Sequence, residues 1–106
     1  MSWILLFCAG LLEIAWAYFM KRSAGFTLLA PSLLTIALMV ASFVLLAVAM
    51  KTLPLGTAYT VWTGIGTVGA FLVGIAVLGE AATLMRLLGA GLIVSGIVLM
   101  KASGTD

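Results

Sequence analysis

The chain reads as an all-α protein of four membrane-spanning helices, and three features of its sequence predict that class. Of its 106 residues 65% are hydrophobic and only 8% charged, whereas a soluble domain has an apolar share nearer half and a charged share of about a quarter. The few ionisable groups fall at Glu13, Lys21, Arg22, Lys51, Glu80, Arg86, Lys101 and Asp106, which leaves long uncharged intervals from Ser23 to Met50 and from Thr52 to Gly79. A helix needs roughly 20 apolar residues to cross a bilayer, so four spans use up nearly the whole chain. The expectation is one transmembrane domain over residues 1–106, with the lipid bilayer as its first partner.

The first helix is expected over about residues 3–20. It ends at the charged turn Lys21-Arg22-Ser23-Ala24-Gly25, where a glycine is available for a helix C-terminus. Its N-terminus lacks a basic region and its apolar run is interrupted by Glu13, so it reads as a permanent span and not a cleaved signal. The second helix is expected over residues 32–50, with Pro31 suited to a first turn, where a missing N–H costs little. Lys51-Thr52-Leu53-Pro54-Leu55-Gly56 has the composition of a short break. The third helix is expected over residues 57–78, ending before Gly79-Glu80, and the fourth over residues 84–101. Short loops make successive helices antiparallel.

Composition also excludes function classes. There is no His, and the one Cys, Cys8, lies inside the first span, so metal sites and disulfides lack their residues and no metal or cofactor is expected. Cys8 reads as a small packing residue. A net charge of +2 spread along the chain gives no surface for nucleic acid. Helix 3 contains Gly64-Ile65-Gly66-Thr67-Val68-Gly69, a literal match to a dinucleotide-binding pattern, but no strand precedes it and no βαβ unit surrounds it. These glycines instead permit close packing or a bend that relocates during a conformational change.

Glu13 carries the most information. A charge in hydrocarbon costs on the order of 3 kcal/mol by insertion scales, so a carboxylate there pairs, lines water, or moves something. Ala9, Gly10, Glu13, Trp16 and Ala17 share one helix face by their spacing. Tyr59, Trp62, Thr63 and Gly66 repeat that spacing on helix 3, and Ser42 adds a hydroxyl from helix 2. Converging on Glu13, these groups would form a small-cation site, with the carboxylate for charge, rings for cation–π attraction and hydroxyls to orient the carboxylate. Tyr59 and Trp62 are equally readable as an interfacial aromatic belt. Glu80 reads as a solvated loop carboxylate, and Arg86 and Lys101 as membrane-edge anchors.

The basic residues divide almost evenly. Lys51 and Lys101 fall on one side of the membrane, and Lys21, Arg22 and Arg86 on the other. Orientation follows the Lys/Arg bias of short loops, and two against three is compatible with a single orientation or with insertion both ways round. Opposed copies would form an antiparallel dimer. Gly89 and Gly96, seven residues apart on helix 4 with Ala90 and Ser95 nearby, offer a close-packing seam either for a second copy or within the chain.

The ordered set Gly10-x-x-Glu13-x-x-Trp16, Lys21, Gly25-Phe26-Thr27, Pro31-Ser32, Ser42 and Lys51-Thr-Leu-Pro54-x-Gly56-Thr-Ala-Tyr59-x-x-Trp62-Thr-Gly-Ile-Gly66 resembles the small multidrug resistance family over essentially the full length. Trp16, the Lys51-Thr-Leu-Pro stretch, Trp62-Thr-Gly-Ile-Gly and Lys101 look like its guanidinium-exporting branch. The resemblance implies a transporter and no enzyme: an antiparallel, dual-topology homodimer in the bacterial inner membrane that exchanges protons for guanidinium. It implies Glu13 as the shared proton and substrate site, and Trp16, Ser42, Tyr59 and Trp62 as its surround. Gly10 would leave room beside the carboxylate, and Gly64 and Gly66 would let helix 3 bend. Thr60 and Thr67 stand where the branch would have Ala, which points to a wider substrate range. Two other readings stand beside it: an exporter of quaternary ammonium and other hydrophobic cations, and a passive channel or structural subunit in which Glu13 only joins helices.

Overall fold

The computed structural model of the protein describes residues 1–103, so Asp106 lies outside the described residues. Four helices follow one another: α1 (Ser2–Arg22), α2 (Leu29–Ala49), α3 (Leu55–Ala76) and α4 (Leu84–Ala102). Each has the length and hydropathy of a membrane span. Pro31 sits in the first turn of α2, which begins earlier than expected, at Leu29. A proline there interrupts no intrahelical bond.

The loop from α1 to α2 takes its shape from Ser23, which is fully buried. Its hydroxyl donates to the Met20 carbonyl at 2.6 Å and accepts from the Phe26 N–H at 3.0 Å. Between these contacts Ala24, Gly25 and Phe26 all have positive φ. Only glycine takes that region freely, so the two side-chain-bearing residues are held there by the Ser23 bonds. The left-handed turn is thus wider than the single Gly25 position that the sequence suggests.

The core is a seam of α1, α2 and α3. α1 packs along both α2 and α3, whereas the backbone of α4 lies against α3 alone. Leu6, Ala9, Leu46, Ala49, Leu53, Ala58, Val61 and Trp62 form the buried cluster. Small residues let the helices approach, and a Cβ on Gly10 would lie 2.5 Å from Ile65 Cγ2, so Gly10 is the seat of Ile65. This corrects the expectation that Gly10 leaves room beside Glu13. Cys8 is a free thiol exposed on α1, outside this buried cluster.

Ser42 ties the three helices together. Its side chain is fully buried; its hydroxyl donates to the Ala9 carbonyl on α1 at 2.7 Å and accepts from Trp62 Nε1 on α3 at 3.0 Å. At the opposite end of the molecule from the α1–α2 loop, the Ser2 and Thr52 hydroxyls are hydrogen-bonded and Lys101 Nζ stands 4.4 Å from the centroid of Trp3. These contacts close the ends of α1, α2 and α4 where water and headgroups begin.

α4 has no buried residue. A Cβ on Gly89 or on Gly96 would meet nothing within 4 Å, so the small-residue face is not spent on packing within the chain.

Removing the Ser42 hydroxyl strands the Trp62 N–H and leaves the Ala9 carbonyl with one partner fewer. Hydrogen bonds between helices in bilayers average about 0.6 kcal/mol, and a buried orphan costs about 1–3 kcal/mol. Ser42→Ala is therefore expected to lower stability by roughly 1–2 kcal/mol, seen as earlier loss of helical signal on heating in detergent. An unchanged melting profile would remove Ser42 from the account of the core.

Candidate functional site

Glu13 lies two turns from the N-terminal core of α1, one helical turn after Ala9 and Gly10. Its carboxyl rests directly on the backbone of α3 at Gly66, where a built Cβ would collide with Oε1 and Cδ. One turn on, Ile14 rests in the same way on Gly69. Glycine at 66 and 69 on α3 thus opens a slot for two successive side chains of α1. The G-x-x-G spacing puts both openings on one face of the helix. Gly66, not Gly10, provides the space beside the carboxylate.

Three buried polar side-chain atoms lack a hydrogen-bond partner among the described residues: Glu13 Oε1, Trp16 Nε1 and Thr63 Oγ1. Buried polar groups in native proteins are overwhelmingly hydrogen-bonded, so each of the three is open to a ligand, water or another chain. One is an acceptor that is charged when ionised, one is a pure donor and one can do either.

The rings form a continuous ladder across three helices. Trp16 meets Phe43 edge-on with centroids 6.3 Å apart, Phe43 meets Trp62 at 5.8 Å, and Trp62 meets Tyr59 at 5.6 Å. Tilted and edge-to-face geometries suit the aromatic quadrupole. Phe43 joins the two tryptophans and was not among the expected site residues. Its position next to Ser42 is the one signal in the sequence that could have found it.

The expected convergence on Glu13 is only partly present within one chain. Ser42 gives its proton to the Ala9 carbonyl and receives that of Trp62, so neither it nor the indole orients the carboxylate as expected. Tyr59 is 52% exposed. With Thr60, Thr63 and Gly96 it lines a cavity of about 500 Å³ between α3 and α4. Thr67 Oγ1 donates to the Thr63 carbonyl at 2.7 Å, and Thr60 is exposed. Gly64 is occupied by α4: a Cβ there would lie 2.7 Å from Ile97 Cδ1. α3 runs without interruption through Gly64 and Gly66.

No group of three or more His, Cys, Asp or Glu residues that could hold a metal ion occurs among the described residues. The Glu13 carboxylate by itself offers a place to hold a proton or another small cation.

Gly66→Ala tests the slot without touching Glu13. Alanine favours the helix, while its methyl group occupies the place of the carboxyl. The substitution is expected to keep the helical fold but to lower stability by about 1–3 kcal/mol through overpacking, seen as earlier loss of helical signal on heating in detergent. An unchanged melting profile would mean that the Gly66 contact does not set the position of the carboxyl.

Residues 1–93 match the family described as Small Multidrug Resistance protein. The chain is 58% identical over 103 residues to proteins of Citrobacter freundii and Salmonella typhimurium, covering 97% of this chain and 98% of theirs. It is 56% identical over 101 residues to one of Yersinia pseudotuberculosis, covering 95% and 97%. All three bear the name guanidinium exporter. With four apolar helices and these relatives, the protein is a multi-pass protein of the bacterial inner membrane, and the chain belongs to the small multidrug resistance family.

Proposed function

We propose that this protein is a transporter and not an enzyme: a proton-coupled antiporter that exports guanidinium or small guanidinyl cations by alternating access, working as an antiparallel homodimer of one transmembrane domain per chain. The observation that carries the reading is the buried, unpartnered Glu13 Oε1 in a membrane-spanning seam. The names of relatives 56–58% identical supply the substrate.

The ionised carboxylate attracts a planar cation whose N–H groups suit two carboxyl oxygens. Trp16, Trp62 and Tyr59 supply ring faces, and Thr63 Oγ1 adds a free hydroxyl. Once protonated, the carboxyl loses its charge and the cation leaves. Proton and cation therefore exclude one another, and a site open to one side at a time converts a proton gradient into export. Gly64 and Gly66 are the points where α3 would bend. A second copy, entering the unfilled space at Gly89 and Gly96 of α4, would bring its own Glu13 and supply the partners that Trp16 Nε1 and Thr63 Oγ1 lack. Opposite orientations of the two copies follow from the near balance of Lys21, Arg22 and Arg86 against Lys51 and Lys101.

One observation favours a broader cargo. The α3–α4 cavity is predominantly apolar and is lined by Thr60 and Thr67, so guanidinyl or quaternary ammonium cations with an apolar substituent have a surface there.

The test is guanidinium uptake into proteoliposomes under an imposed pH gradient. The natural protein is expected to accumulate guanidinium against its concentration, and Glu13→Gln, of equal size but unable to ionise, to accumulate none while keeping its helical content. Uphill uptake retained by Glu13→Gln would overturn the assignment.

A further inference from the structure

α3 ends in a reversal that folds a second carboxylate back onto the helix. Gly79 has φ +72°, a left-handed conformation that turns the chain. The Glu80 N–H donates to the Gly74 carbonyl at 2.9 Å, and the Glu80 side chain lies across buried Gly74, where a built Cβ would collide with its Oε1. The residue is exposed, so the carboxylate faces water on one side and helix on the other. Its reading as a freely solvated loop charge is corrected: the chain holds it in place.

Glu80 forms the outer wall of a cavity of about 350 Å³ that runs between α1 and α3. Lys21 and Arg86 stand with it at the mouth, and Ile14 and Thr67 line the inner part. These last two are the chain neighbours of Glu13 and Gly66. Eight residues of helix separate Gly66 from Gly74, about 12 Å at 1.5 Å per residue. A cation held at Glu80 is therefore one short step outside the Glu13 slot, with Ile14, seated on Gly69, between them.

The mouth already holds a guanidinium group. The Arg86 side chain lies with Cζ 5.9 Å from the centroid of Phe71, and its Nη1 donates to the Ala81 carbonyl at 3.3 Å. Ring face, carbonyl acceptor and neighbouring carboxylate are what a free guanidinium ion requires.

We infer that this cavity is an outer capture site for the guanidinyl cation, in which Glu80 supplies the charge, Phe71 the ring face and Ala81 the carbonyl, and Arg86 is a tethered competitor that fills the site until substrate displaces it. The inference rests on the reading of the chain as a guanidinium exporter. In an antiparallel pair, each side of the membrane would have one such mouth.

The mouth carries Lys21 and Arg86 as well as Glu80, so Glu80 is the counter-charge that offsets them for an arriving cation, and charge lining a cleft changes association rates by a factor of about 10–1,000. Glu80→Gln is thus expected to raise the KM of guanidinium uptake in proteoliposomes about tenfold, with kcat and the equilibrium affinity of the Glu13 site unchanged. Added salt should narrow the difference. Gly74→Ala, which keeps the charge but displaces the carboxylate, should shift KM in the same direction, and Arg86→Gln, which removes the competitor, in the opposite one. A KM unchanged in both Glu80→Gln and Gly74→Ala overturns the capture site while leaving the exporter reading intact. A KM that rises in Arg86→Gln and depends on the anionic lipid content of the vesicles would assign the mouth to a lipid phosphate and overturn the inference as well. Absence of guanidinium uptake by the natural protein overturns both readings.

Discussion

The arrangement depends on one constraint: a carboxyl group set in a hydrocarbon-depth helix has to rest on something that takes no space. Glu13 meets it by lying on Gly66, and Ile14 repeats the solution on Gly69. The close approach of α1 and α3 follows, as does the inward position of Gly10 beneath Ile65. Ser42 then locks the seam by bonding to α1 and α3 at once. Its one hydroxyl proton goes to the Ala9 carbonyl, so it has none to donate to Glu13, whose Oε1 is unpartnered.

The division of labour along α3 follows from its faces. Gly66 and Gly69, one turn apart on one face, receive Glu13 and Ile14 of α1, and Gly74, about 140° round the helix from Gly69, receives Glu80. Another face, from Tyr59 through Thr63 and Gly64, looks toward α4 and the larger apolar cavity. No residue of α4 is buried and its backbone lies against α3 alone, an arrangement that suits a span completed by lipid or a second copy. The two glutamates sit at different depths, linked by the cavity that Ile14, Thr67 and Gly74 line, and a cation moving along it would pass from a wetted carboxylate to a half-buried one.

Much of this was legible in the sequence because bilayer thickness and charge placement leave little freedom. Uncharged intervals mark the spans, and the lone glutamate within an apolar run marks the site. Residue spacing puts Glu13, Gly10 and Trp16 on one face, but which neighbour fills which glycine depends on helix rotation and crossing. That is why Gly10 was expected beside the carboxylate and is instead the seat of Ile65. Ser42 was legible as a polar group in a span, not as a bridge, because its partners lie 33 and 20 residues away along the chain. Phe43 and Glu80 were passed over for opposite reasons: an apolar residue in an apolar helix carries no signal, and a carboxylate in a loop looks solvated until the left-handed turn at Gly79 folds it back.

The central claim is that one carboxylate, Glu13, holds proton and guanidinium in turn. Equilibrium guanidinium binding followed by tryptophan fluorescence across a pH series tests it most directly, since Trp16 and Trp62 flank the site. The account predicts that apparent affinity weakens as pH falls, by up to about tenfold per pH unit once the proton occupies the carboxylate, and that Glu13→Gln has no such pH dependence. An affinity flat with pH in the natural protein would contradict it.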